Sequence, residues 1–188
     1  MTRNPHRRHT CRKDFITLAK ENIRDAVVAE TSELTQIAFQ AKTFWNYPNT
    51  YIEKWTEELT ISSQYIQDNF VRCKTINDII VGFYSLVYVP ENRTSGTINI
   101  EKGIWLDHMF IAPKFHGNGI GRAFFVDIQS QLNRFTAEKI LKIFVDPNAI
   151  GFYQKMGAQF IRNSDSSIPG RSIPIYSYDV QTNENYKN

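Results

Sequence analysis

The stretch Leu106-Asp107-His108-Met109-Phe110-Ile111-Ala112-Pro113-Lys114-Phe115-His116-Gly117-Asn118-Gly119-Ile120-Gly121-Arg122-Ala123-Phe124-Phe125 runs from apolar residues through a proline and three alternating glycines into a helical pattern. Its first part has the aromatic and apolar make-up of a strand. Pro113 ends that run, because its ring removes a backbone donor. Beyond the loop, Ile120, Phe124, Ile128 and Leu132 recur at every fourth position, which lines one face of an amphipathic helix. Glycines at 117, 119 and 121 let backbone N–H groups come close to a ligand, and the helix N-terminus behind them adds unpaired donors and a positive dipole. Such a loop suits a phosphate. A glycine turn that only reverses the chain would have the same composition.

Spacing removes the two commonest phosphate loops. The dinucleotide pattern G-x-G-x-x-G needs glycine where Arg122 stands, or where Phe124 stands in the second register. The triphosphate pattern G-x-x-x-x-G-K-[ST] fits in no register.

Outward from the loop, residues 98–111 read as one long strand after a polar turn at 91–96. Residues 70–76 and 79–89 are β-branched and aromatic, and Asn77-Asp78 between them reads as a hairpin turn. Further back, Val27, Leu34, Ile37, Ala38 and Ala41 keep helical spacing over 25–42. A second helix fits 50–59 after the turn-prone segment 46–49, and 14–20 alternates as a first strand. C-terminal to the loop helix, 140–145 is a compact strand and 148–156 a short helix closed by Gly157. Strands at 158–162 and 173–180, joined by a Ser/Pro/Gly loop, complete the chain. This order predicts a mixed α/β sheet, mostly antiparallel, with two crossover helices and helices on both faces. Neither a repeat nor a linker breaks 14–188, which is expected to form a single domain behind a basic arm at 1–13.

Composition narrows the field only by exclusion. Of 188 residues, 41% are hydrophobic and 22% charged, ordinary for a globular chain, so these values name no function. The net charge of +3 comes from Arg3, Arg7, Arg8, Arg12 and Lys13; without these five the chain holds 17 basic and 19 acidic side chains. A surplus confined to a short arm does not make a nucleic-acid surface, and none is expected. No run approaches the ~20 apolar residues of a membrane span. Basic residues at the start without an apolar stretch behind them argue against a secretory signal. Cys11 and Cys73 are too few for a disulfide framework or a zinc site and read as reduced thiols in a cytoplasmic protein, with no metal expected.

A second motif lies downstream, in Asp146-Pro147-Asn148-Ala149-Ile150-Gly151-Phe152-Tyr153-Gln154-Lys155-Met156-Gly157-Ala158. Together with the loop it resembles the Gcn5-related N-acetyltransferases. Their motif A is [Q/R]-x-x-G-x-[G/A] after a strand ending in proline, and their second signature is an Asn followed by Phe-Tyr and Gly around a short helix. The resemblance spans roughly residues 14–180. It implies the acyl-CoA N-acyltransferase fold and transfer of an acetyl group from acetyl-CoA to a primary amine by direct attack in a ternary complex. It sets the backbone of Met109, Phe110 and Ile111 along pantetheine, with the Met109 N–H toward the thioester carbonyl. His116, Gly117, Asn118, Gly119, Ile120, Gly121 and Arg122 then surround the pyrophosphate. Asn148 and Tyr153 contact the cofactor, and Tyr153 serves as general acid. One departure stands out: the Gln or Arg that usually opens motif A is His116, whose backbone N–H is still expected to reach phosphate. Asn148 could equally cap the helix.

The general base is open between Asp107, His108 and a water-mediated route. Neighbours on a regular strand point to opposite faces, so only one of the two side chains is expected in a given cleft. Trp45 and Tyr47 are candidates for a wall of the acceptor site, or for a packing cluster between helices. Arg171, in the rigid Ile168-Pro169-Gly170-Arg171 turn, is a candidate to hold an acceptor carboxylate or phosphate. The acceptor is expected to be a small-molecule or peptide amine. Dimers are common in the family, which leaves a homodimer open. The competing reading is a catalytically silent acyl-CoA-binding domain of the same fold.

Overall fold

The computed structural model describes residues 20–181, beginning with β1 (Glu21–Asp25). The basic arm, and all of the strand expected at 14–20 except Lys20, lie outside the described residues. The helix expected from residue 25 begins later, as α1 (Thr31–Thr43). Its delayed start has a local cause. The Glu30 carboxylate accepts the Val27 N–H at 2.9 Å and the Arg24 guanidinium at 3.1 Å, which holds Val28–Glu30 in a 3₁₀ turn. Val27 is therefore exposed and not part of the apolar stripe, whereas Leu34, Ile37, Ala38 and Ala41 are buried.

The expected second helix is broken into α2 (Asn49–Lys54) and α3 (Thr56–Leu59), with the buried Trp55 between them. An additional short helix, α4 (Ser63–Asp68), is capped by the Ser62 hydroxyl, which accepts the Tyr65 N–H at 3.0 Å. The hairpin of β2 (Phe70–Ile76) and β3 (Ile79–Val89) forms as read from the sequence. Asn77 and Asp78 adopt φ of 51° and 63°, the left-handed pair that a two-residue hairpin turn requires. The segment read as a polar turn contains β4 (Arg93–Ser95), which pairs with β5 (Ile98–Ile100) as a small separate ribbon. The long strand expected over 98–111 is thus split, and its second part is β6 (Gly103–Ile111).

After the glycine loop come α5 (Ile120–Phe135), β7 (Ile140–Phe144), α6 (Ile150–Lys155), β8 (Gln159–Asp165) and β9 (Ser172–Asp179). The seven-stranded sheet has the order β1-β2-β3-β6-β7-β9-β8. All its pairings are antiparallel except β6 with β7. Each face carries its own core. Val81 and Tyr84 of β3 pack with Phe124 and Ile128 of α5, while Ile80 and Phe83 of the same strand pack with Leu34 and Ala38 of α1 and with Trp55. Fully burying side chains of this size stabilises by about 1.5–3 kcal/mol each. All four residues of the α5 stripe are buried. Among the described residues no helix is long and apolar enough to cross a membrane.

The parallel pairing ends early. β6 and β7 are in register only from Ile104↔Leu141 to Leu106↔Ile143. Beyond Leu106, β6 follows β3, whereas β7 continues with β9. The sheet therefore opens between its two central strands, and the opening points at the glycine loop.

Candidate active site

The opening between β6 and β7 presents backbone groups. The His108 N–H donates to Ser85 Oγ at 3.1 Å and the Ala112 N–H to the Val81 carbonyl at 2.9 Å, both on the β3 side. Alternation along the strand turns the Met109 and Ile111 N–H groups the other way, into the gap left by β7. The gap leads to the N-terminus of α5. Gly117 (φ 81°) and Gly119 (φ 74°), the latter capping α5, take left-handed backbone. A Cβ built on either would meet nothing within 4 Å, so the loop borders open space. Gly121 serves packing instead: a Cβ there would stand 2.8 Å from the Phe152 ring. The loop, the β6 edge and α6 line one cleft of about 810 Å³, a size that suits a cofactor and a small acceptor.

His116 sits at the mouth in an unexpected way. Its N–H, expected from the sequence to reach phosphate, is bonded here to the Pro113 carbonyl at 3.1 Å. Its ring Nε2 lies 3.0 Å from the Ile111 carbonyl and the ring packs edge-on to Phe44 at 5.0 Å. A 3₁₀ turn over Pro113–Phe115 causes the change, because it closes on the His116 N–H.

Asp107 and His108 both line the cleft, contrary to the opposite-face expectation. The register shifts between Ser85 and Leu86: Ser85 faces His108, Leu86 faces Leu106, and Asp107 is the extra residue of a β-bulge. A bulge breaks the two-residue period and re-aims side chains. His108 Nε2 comes within 3.5 Å of Asp107 Oδ2. The Tyr65 hydroxyl donates to the same Asp107 oxygen and lies 2.7 Å from Ser85 Oγ. One fully buried hydroxyl, Ser85, thus takes the bulge N–H of His108 and anchors Tyr65.

Burial lowers the His108 imidazole below its ordinary 6.5, against the Asp107 and Glu58 charges that raise it, and Lys42 adds to the lowering. The ring is neutral at pH 7. Between its folded value and 6.5, the unfolded chain binds a proton that the folded chain does not. Stability contributed by His108 is therefore present above 6.5 and lost as pH falls through the folded value. An NMR titration should place the His108 midpoint below 6.5; a midpoint at or above 6.5 would contradict this environment.

Tyr153 is buried and faces the same cleft from α6. Burial, and then the Asp146 charge, pushes its phenol above the ordinary range, so it keeps its proton through neutral pH. Asn148 is not the cap of the helical segment. Asp146 is, accepting the Asn148 N–H at 3.0 Å, while Asn148 Nδ2 donates to Tyr47 Oη at 2.9 Å. Tyr47 Oη donates to Asp146 Oδ1 at 2.6 Å, and Lys42 pairs with Asp146 Oδ2 at 2.6 Å. Burial alone would raise the Asp146 carboxyl, yet Lys42, Tyr47 and the Asn148 N–H together hold it below its ordinary value. Burial and the bond to Asp146 push the Tyr47 phenol up to about 12. Tyr47 thus belongs to a polar network rather than to a purely apolar junction. Trp45 lines the cleft mouth, half exposed beside His116.

The sequence reading missed Tyr65, Ser85, Lys42 and Asp146. Asp146-Pro147 ahead of a helical pattern is a cap signal that was legible. The other three are brought together only by tertiary packing.

A mixed sheet split at its two central strands, with a glycine loop at the head of a crossover helix, defines an acyltransferase-type scaffold. Comparisons with known proteins agree. Residues 60–168 match the model of the acetyltransferase (GNAT) domain, and the chain belongs to that family. It is 27% identical over 113 residues to the peptidyl-lysine N-acetyltransferase YiaC of Escherichia coli (strain K12), covering 58% of this chain and 75% of the relative. The fold is similar to that of a Gcn5-related N-acetyltransferase from Rhodopseudomonas palustris, with a TM-score of 0.66 and 17% identity over 84% of this chain and 94% of the other. It is also similar to the PaiA N-acetyltransferase of Thermoplasma acidophilum in complex with coenzyme A, with a TM-score of 0.67 and 15% identity over 85% of this chain and 99% of the other.

Proposed function

We propose that this chain transfers an acetyl group from acetyl-CoA to a primary amine by direct attack within a ternary complex. The observation that carries the reading is the unpaired β6 edge, which runs into the glycine loop with Asp107 and Tyr153 lining the same cleft. The residues present fit the donor. Open space beyond Gly117 and Gly119 leaves room for the pyrophosphate at the α5 N-terminus, with Ile120, Gly121 and Arg122 in its first turn and Asn118 in the loop. The Met109 and Ile111 N–H groups suit an extended pantetheine arm. A relative named as a peptidyl-lysine N-acetyltransferase, and a structural neighbour in complex with coenzyme A, support the assignment.

When bound, acetyl-CoA supplies a thioester whose C–S bond breaks as the amine C–N bond forms, the amine losing one proton and the sulfur leaving as a thiol. The Met109 N–H, turned into the gap between β6 and β7, would donate to the acyl oxygen, and one such donor contributes about 3–4 kcal/mol in comparable sites. Tyr153, neutral and protonated, is the donor toward the leaving sulfur. Asp107 and the neutral His108 form the pair that takes the amine proton, and Tyr65 holds the Asp107 carboxylate in place.

Mixing the protein with acetyl-CoA and a panel of primary amines tests this reading. Acetylated amine should appear in equal amount to free thiol. Binding of acetyl-CoA without acetylated product from any amine would leave only the silent binding domain. Tyr65→Phe, which removes one hydroxyl from the bulge network, should lower kcat about tenfold and leave acetyl-CoA affinity within about threefold. An unchanged kcat would remove Tyr65 from the positioning of Asp107.

A further inference from the structure

The acceptor side of the cleft has two poles of opposite charge. The positive pole is built around Arg171. Its backbone is fixed in a turn, with the Ser166 N–H on the Arg171 carbonyl at 3.1 Å and the Arg171 N–H on the Ile168 carbonyl at 3.0 Å. Ile168 is buried in the core beneath α1, and the Trp55 indole N–H donates to Ser167 Oγ at 3.2 Å. The turn therefore does not move freely over the cleft. The guanidinium lies 5.2 Å from the Trp55 ring and 5.5 Å from the Tyr47 ring. Two rings that fix its plane leave the fork oriented before any ligand arrives.

No carboxylate among the described residues neutralises this cation. Both oxygens of Asp146 are committed, one to Lys42 and the other to Tyr47 and the Asn148 N–H. Among the described residues the Arg171 guanidinium donates to the Tyr47 hydroxyl, at 3.4 Å. A half-buried guanidinium facing a cleft without an acidic partner is a receptor for an anion. The negative pole is formed by Asp107 with Glu57 and Glu58 of α3, which line the same cleft. Glu58 stands near enough to act on His108.

Resting on the N-acetyl-transfer reading, we infer that the acceptor is a compact zwitterion, an amino acid in the broad sense, whose carboxylate is held by Arg171 while its amine faces Asp107. The paired poles orient such a molecule with its nitrogen toward the β6 edge. A free amine without an acid group leaves Arg171 unsatisfied, and a polycation meets its charge. The fork matches carboxylate and phosphate alike; the single charge of Arg171, with Lys42 paired to Asp146, balances a carboxylate's one charge rather than the roughly 1.5–2 of a phosphate.

The test uses matched acceptors on the full chain: glycine against glycinamide, L-phenylalanine against L-phenylalaninamide, with O-phosphoethanolamine and a lysine-containing peptide as further arms. The carboxylates should exceed their amides in kcat/KM by about tenfold or more, the advantage lying in KM. Arg171→Met keeps the aliphatic stem and should erase that preference; Arg171→Lys keeps the charge without the fork and should fall between. A binding readout stands beside turnover. With coenzyme A present, N-acetylglycine should bind the parent about tenfold more tightly than it binds Arg171→Met, as measured by calorimetry. Equal carboxylate-to-amide ratios in parent and Arg171→Met, or a stronger response to phosphate or to the lysine peptide, would overturn the inference while leaving N-acetyl transfer standing. If no amine releases thiol yet N-acetylglycine binding still depends on Arg171, the carboxylate site stands and the catalytic reading falls.

Discussion

Replacing Tyr153 with phenylalanine is expected to lower turnover by about 10²- to 10³-fold, within the range for loss of a positioned proton donor. Acetyl-CoA affinity should change by less than about threefold, because the ring and its packing remain. The expectation rests on position and protonation together. Tyr153 is buried against Phe125 and Phe152, so its ring is fixed, and it lines the cleft across from β6. Burial keeps the phenol protonated at neutral pH. A group meant to donate a proton needs that state, and a phenol exposed to water would be less firmly held in it. Single-turnover thiol release and equilibrium acetyl-CoA binding, measured on the same two proteins, separate the effects. Equal turnover in parent and variant would remove Tyr153 as the acid, and a large loss of affinity would make it a cofactor-packing residue instead.

Gly119→Val should reduce acetyl-CoA affinity by at least about a hundredfold. Two costs act at this residue. A β-branched side chain at φ 74° is strained by about 1–3 kcal/mol. The new side chain also enters the open space where phosphate would approach the α5 N-terminus, since nothing stands within 4 Å of its Cβ. The fold should survive with a thermal midpoint lower by several degrees, because no neighbour is displaced. Gly121→Val is the contrasting change: it would drive a side chain into the Phe152 ring, 2.8 Å away, and lower stability before it touches the ligand. Unchanged affinity in a folded Gly119→Val protein would refute the phosphate assignment.

The parts of the molecule readable from sequence are those fixed by local chemistry. Asn77-Asp78 specified a turn because short polar side chains tolerate the left-handed backbone found there. The α5 stripe specified its buried face because four apolar residues at helical spacing have one way to leave water. The glycine loop and the Asn148–Tyr153 motif were legible as a pair through resemblance. Other features depend on partners far away in the chain. The bulge at Asp107 follows from Ser85, some twenty positions earlier, taking the His108 N–H. No pattern within β6 announces it, so a regular alternation wrongly separated Asp107 from His108. Tyr65 lies on a helix too short to show a period. Motif position marked His116 as a phosphate contact, but nothing local announced that its N–H closes a turn on Pro113 or that its ring lies 3.0 Å from the Ile111 carbonyl. Asp146 was quoted as part of a motif, yet its partners Lys42 and Tyr47 lie about a hundred residues away and give no local sign.

In the proposed mechanism the amine attacks directly while donor and acceptor occupy the cleft together. Initial rates of thiol release, measured over a matrix of acetyl-CoA and amine concentrations, test it most directly. Intersecting double-reciprocal lines, with a rate that rises and saturates with amine, are the predicted result. Parallel lines, the pattern of a covalently acetylated enzyme, or a rate indifferent to every amine, would contradict it.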